Sequence, residues 1–248
     1  SDGGLIHATN KKTWGQLLAE DPYVSLPFLV EYGKQYNDPA AFDIAAEQLL
    51  ISASHLRDPA TGLIYHGYDE QGDVPWADPV RHRSPEVWCR GMGWYGMALV
   101  AVLDALPANH PKRAALRNIL TGFVAGLARH QDAKTGLWFQ VVDKETVTGN
   151  WTETSCSAMH AYTIAHAVQK GYVGSTYATV ASRAYQGVLG RISLDSKGLT
   201  RLKGTCVGGQ VGDLAYYLGR GRPENDPRGV GAFLVMYDQL GWGATAAP

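Results

Sequence analysis

Apolar side chains recur every three or four residues in seven stretches of this chain, and each stretch predicts a helix. In 38–56 the set is Phe42, Ala45, Ala46, Leu49, Leu50 and Ala53; the same spacing runs through 22–36, 86–106, 112–130, 154–170, 175–192 and 228–240. Proline marks several boundaries. Asp21-Pro22 opens the first stretch, Ser84-Pro85-Glu86 opens the third, and Asn109-His110-Pro111 parts the third from the fourth. Proline in a first turn sacrifices no helical hydrogen bond, which makes it a start signal. No period-2 run is long enough for a sheet core. Stretches 86–106, 154–170 and 228–240 are apolar or small nearly all round, as helices buried on both sides would be. Stretches 38–56, 112–130 and 175–192 carry more charge and suit an outer layer.

A repeat organises these stretches. Asp58-Pro-Ala-Thr-Gly-Leu63, Asp132-Ala-Lys-Thr-Gly-Leu137 and the shorter Asp195-Ser-Lys-Gly-Leu199 begin 74 and 63 residues apart. Each repeat is therefore helix, turn, helix and Gly-rich loop, and stacked hairpins of this kind make an all-α helical toroid. Every long loop then feeds the N-terminus of an inner helix. Those N-termini share one rim, where free N–H groups and positive dipole ends favour an anionic ligand.

Composition removes several classes of function. The 22 basic and 23 acidic residues leave a net charge of −1 with no basic run, which argues against nucleic-acid binding. No uninterrupted apolar run reaches membrane-spanning length. Cys89, Cys156 and Cys206 cannot all pair internally and lack zinc-site spacing, so they are expected as buried thiols. Ser1 begins the chain without a signal-peptide pattern, which fits a processed or partial chain and leaves the compartment open.

The loop 58–85 and the helix start after it are dense in binding-type side chains: Tyr65, His66, Tyr68, Asp69, Glu70, Trp76, Trp88, Arg90 and Trp94. Arg90 and Trp94 are four apart and share a helical face, with Trp88 flanking. That grouping offers a carboxylate clamp between flat walls for a sugar ring; ordinary core aromatics with a salt-bridging arginine would give the same spacing. Asp21 and Glu153 are candidate acids, and helix capping alone explains either.

Asp21-Pro-Tyr-Val-Ser-Leu-Pro-Phe-Leu29, His66-Gly-Tyr-Asp69, Trp88-Cys-Arg-Gly-Met-Gly-Trp94, Gly136-Leu-Trp-Phe-Gln-Val-Val-Asp143 and Asn225-Asp-Pro-Arg-Gly-Val-Gly-Ala-Phe-Leu234 occur in this order. Together they resemble the signature of glycoside hydrolase family 105, the unsaturated rhamnogalacturonyl hydrolases, from about residue 13 to 240. The resemblance implies an (α/α)6 barrel. It also implies removal of a 4,5-unsaturated uronic acid from the non-reducing end of rhamnogalacturonan (pectin) oligosaccharides. By position it implies Asp21 as the catalytic acid and base, with His66, Trp88, Arg90 and Trp94 holding the sugar. Trp138 and Tyr68 join them as candidate binding residues. Where the family often has a tryptophan two residues before the aspartate, this chain has Ala19. No metal or cofactor is expected.

Seven helices do not close a six-hairpin ring. The expectation over 1–248 is a single incomplete toroid, an open arc whose 22–36 flank is covered by a second copy in a homodimer. An epimerase or conventional glycosidase on the same fold, or a weakly active carbohydrate-binding remnant, are the alternative functions.

Overall fold

The computed structural model describes residues 2–7 and 14–244, with the side chains of 242–244 excepted. Ser1, 8–13 and 245–248, which belong to the expected domain span, lie outside the described residues. All seven expected helices are present: α1 (Asp21–Tyr36), α2 (Pro39–Leu56), α3 (Cys89–Ala105), α4 (Arg113–Arg129), α5 (Thr154–Gln169), α6 (Ala178–Leu189) and α8 (Pro227–Ala244). A five-residue helix, α7 (Leu214–Leu218), falls in the last long loop and is too short for periodicity to reveal. Among the described residues, three two-stranded antiparallel ribbons accompany the helices: β1 (Gln16–Leu18) with β2 (Gly67–Asp69), β3 (Trp138–Phe139) with β4 (Thr152–Glu153), and β5 (Ile192–Leu194) with β6 (Thr200–Leu202).

The helices form two layers of a toroid. Inner helix α1 packs on α3, α3 on α5 and α5 on α8, while α2, α4 and α6 lie behind their hairpin partners. The core runs between the layers, through Leu49, Leu56, Met92, Leu99, Leu103, Leu120, Phe123, Ile164 and Val188. Inner helix α3 has buried residues around its whole circumference, whereas outer α4 buries one stripe. Each repeat closes the same loop. The Asp58 and Asp132 amides donate to the carbonyls of Leu63 and Leu137, and the Gly62 and Gly136 amides return to Asp58 and Asp132. Gly62 (φ 79°) and Gly136 (φ 74°) occupy the left-handed region, and a Cβ there would strike the backbone of Gly122 on α4 or Arg183 on α6. In its first two copies the repeat is thus a device for seating the loop on the next outer helix.

At the first end of the arc, α1 presents Val24 (80% exposed), Phe28 (74%) and Tyr36 (68%) along one face. These lie four and eight residues apart, so they form a stripe rather than scattered positions. It is the open flank that an incomplete ring predicts.

Cysteine is a correction. Cys89 and Cys156 are joined in a disulfide between the N-terminal turns of α3 and α5, and Cys206 alone is a free buried thiol. The sequence does not place two helix starts 67 residues apart beside each other. His160 lies against Cys89, its Nε2 3.6 Å from the sulfur, and burial pulls its ring down to about 3, so it is neutral.

Candidate active site

The rim is knitted by backbone bonds between successive loops. Ala19 donates to the His66 carbonyl, His66 to Glu86, Cys89 to Gln140 and Thr154 to Gly204. The β1–β2 ribbon therefore delivers the start of α1 to His66 although the two lie 46 residues apart. Close approach is possible because Gly67 has no side chain: a Cβ there would meet Val211 at 2.8 Å and Leu18 at 3.1 Å.

Between these loops lies a hollow of about 430 Å³, lined by His7, Gln16, Leu18, Glu20, Val74, Pro75, Trp76 and the segment 209–211. Among these described lining residues, Glu20 is the one carboxylate. It occupies the N-cap position of α1, yet its side chain makes no capping bond. Glu20 Oε1 instead lies 3.3 Å from His66 Nε2, while Oε2 is buried without a partner among the described residues. A buried carboxylate oxygen with nothing to accept is costly and is available to a ligand. Burial pushes the Glu20 carboxyl up, but the electrostatic influence of the His66 ring and its hydrogen bond outweigh this and hold it below its usual range.

His66 is fully buried. Its ring packs on Trp88 at 4.4 Å between centroids, and its Nδ1 lies 2.5 Å from Tyr217 Oη. Trp88 also lies beside Tyr217, at 6.0 Å. Glu20, His66, Trp88 and Tyr217 are thus one contiguous polar and aromatic group. The sequence reading brought His66 and Trp88 together and missed Glu20 and Tyr217. Glu20 was eclipsed by its neighbour Asp21, which carries the Asp-Pro helix-start signal. Tyr217 sits on the helix that periodicity cannot show.

Asp21 is not among the residues that line the hollow. Its Oδ1 is 2.7 Å from His7 Nδ1, and its Oδ2 accepts from the Leu18 amide at 2.7 Å. Both oxygens are thus engaged at the helix start. Burial raises its carboxyl despite those bonds.

Arg90 is turned inward. Its Nη1 and Nη2 donate to the carbonyls of Cys206 and Val207 at 2.5 and 2.8 Å, Glu153 lies 3.8 Å away, and 1% of the side chain is exposed. In this arrangement its planar fork holds the loop before α7, and its bidentate geometry is satisfied by two carbonyls instead of a ligand carboxylate. Glu153 is also fully committed. It caps α5 through the Cys156 amide at 2.6 Å and accepts from the Cys206 amide at 2.8 Å.

Three expected binding residues are dispersed. Trp138 is completely buried and donates to the Leu127 carbonyl, so it is a core residue. Tyr68 stacks on His55 and borders a different hollow with Asp2 and Leu5. Trp94 packs on Tyr23 at 4.7 Å, bordering an apolar recess shared with α8.

The sequence profile of Glycosyl Hydrolase Family 88 matches residues 1–240. Protein Atu3128 of Agrobacterium fabrum is 35% identical over 231 residues, 86% of this chain and 97% of that protein. The solved family 105 glycoside hydrolase of C. acetobutylicum superposes with a TM-score of 0.91 at 33% identity, over 96% of this chain and 68% of the other. Unsaturated rhamnogalacturonyl hydrolase YesR of Bacillus subtilis is 24% identical over 209 residues, 83% of this chain and 56% of its own length. Five ordered motifs, a toroidal arc of helical hairpins and these matches lead to one assignment: the chain belongs to Glycosyl Hydrolase Family 88, alongside the family 105 hydrolases that its motifs resemble.

Proposed function

We propose that this chain removes a 4,5-unsaturated uronic acid from the non-reducing end of rhamnogalacturonan oligosaccharides, with Glu20 as the acid and base. The carrying observation is a single carboxylate in a hollow lined by Trp76, with one buried oxygen unpartnered among the described residues and the other beside the buried ring of His66. A conventional glycosidase needs two carboxylates flanking the scissile bond. Glu153 and Asp69 do not supply a second, since one caps α5 and the other closes a turn through the Gly72 amide.

One carboxyl suffices for an enol ether. Glu20 gives its proton to C4, and oxocarbenium character develops at C5. Water adds there, and its proton returns to Glu20. The resulting hemiketal opens and expels the remaining sugar. The name of YesR supports rhamnogalacturonan as the substrate class. Incubation with lyase-generated rhamnogalacturonan fragments, followed by loss of the enol-ether absorbance, tests the reading. Turnover of saturated but not unsaturated oligosaccharides would refute it.

A further inference from the structure

We propose that Tyr217 is a positioning residue that keeps the proton of neutral His66 on Nε2 and thereby leaves the reaction's proton to Glu20. The inference rests on the function proposed above and adds the group that decides which member of the Glu20–His66 pair is protonated.

The argument starts from donor and acceptor roles. The Gly212 amide donates to Tyr217 Oη at 3.2 Å, and an amide nitrogen can only donate. That bond takes a lone pair of the phenol oxygen and leaves its own O–H proton to be placed. Among the described residues, the other hydrogen-bond partner of Oη is His66 Nδ1, at 2.5 Å. Tyr217 is buried, so an undirected O–H would be costly. The phenol therefore donates and Nδ1 accepts. A neutral imidazole has one N–H, and with Nδ1 accepting it must be Nε2–H, which points to Glu20 Oε1 at 3.3 Å.

The next proton to enter the pair has two places to go. On His66 it would occupy Nδ1 and displace the tyrosine donor, leaving two donors opposed and Tyr217 without an acceptor. On Glu20 it meets the buried oxygen that has no partner. Tyr217 thus biases the one-proton state toward a neutral imidazole and a carboxylic acid, the form that can protonate C4. Nearby charged groups leave the bias in place. Asp21 is paired with His7, Glu86 with Lys144, and Arg90 with two carbonyls and Glu153. Tyr216, also on α7, gives its hydroxyl to the 208–210 segment, where it accepts from the Gln210 amide. The position of Tyr217 is itself fixed, because the Asp213 side chain caps α7 and Gln140 donates to the Tyr217 carbonyl.

The test needs two readouts. Nitrogen-15 spectra of the full, substrate-free chain, with His66→Gln assigning the signal, should show Nδ1 as an unprotonated acceptor and Nε2 as protonated near neutral pH. In Tyr217→Phe, which deletes one oxygen, Nδ1 should gain a proton at a pH where wild type has none. The pH profile supplies the second readout. Because the two sites titrate as a coupled pair, Tyr217→Phe should lower the plateau of kcat/KM about tenfold and move its alkaline limb up by about one pH unit, so that the rates converge at high pH. A protonated Nδ1 in neutral wild-type His66 would overturn the inference without reference to activity. So would a Tyr217→Phe profile lowered equally at every pH, as a merely structural loss would give. Failure of the functional reading looks different: Glu20→Gln would retain turnover while the wild-type nitrogen signals stayed as stated.

Discussion

Arg90 lies 3.8 Å from Glu153 with both side chains buried, and the pair binds the loop before α7 to the start of α5. Glu153 accepts from the Cys206 amide while Arg90 donates to the Cys206 carbonyl, so one residue of the loop is held at both polar atoms. This loop leads to Tyr217 and hence to His66.

Breaking that pair should unfold more than it disables. Removing one partner leaves the other as an uncompensated buried charge, an effect of about 3–5 kcal/mol. Glu153→Gln and Arg90→Met should each lower stability by that order in urea denaturation. Arg90→Lys should recover only part of it, because a point charge cannot serve two carbonyls in a plane. A loss of turnover in Arg90→Lys with stability unchanged would instead assign Arg90 to substrate.

The disulfide should stabilise the rim. Closing a loop of 67 residues between Cys89 and Cys156 restricts the unfolded chain, and bridges of this kind contribute about 2–4 kcal/mol. Melting the oxidised protein with and without a dithiol reductant measures it. The Cys89→Ser, Cys156→Ser double variant should melt at the reduced temperature under both conditions. Identical melting of oxidised and reduced wild type would contradict the assignment.

Stability should also depend on pH through His166 and Asp104, which join α5 to α3 at 2.7 Å. The bond to Asp104 raises His166 despite burial. Its contribution is therefore complete below the ordinary imidazole value and is lost as pH rises through the raised one. Burial works to raise Asp104, but the bonds from His166 and Tyr172 outweigh it and hold it low. That contribution is present above the ordinary carboxylate value and is lost as pH falls through the lowered one. Denaturation midpoints should be highest between the two ranges, and Asp104→Asn should flatten both limbs.

Most of the fold is legible in the sequence because its signals are local. Apolar spacing, prolines at helix starts and the Asp-x-x-x-Gly-Leu loop each act within a few residues, and all seven long helices follow from them. The site is less legible because its contacts are distant. Nothing local shows that β1 meets β2, so nothing local separates Glu20, which faces His66, from Asp21, which is bonded to His7 and the Leu18 amide. Arg90 and Trp138 are ambiguous for a related reason: burial gives an arginine or a tryptophan the same spacing as a binding face.

The most direct measurement is a pair of variants assayed on an unsaturated rhamnogalacturonan disaccharide by loss of enol-ether absorbance. Glu20→Gln removes the proton donor and keeps the side chain's shape. It should lower kcat by about 100-fold or more, while Asp21→Asn, which alters a bond to His7 at the helix start, should retain most of its turnover. Near-normal kcat in Glu20→Gln together with an inactive Asp21→Asn would contradict the account.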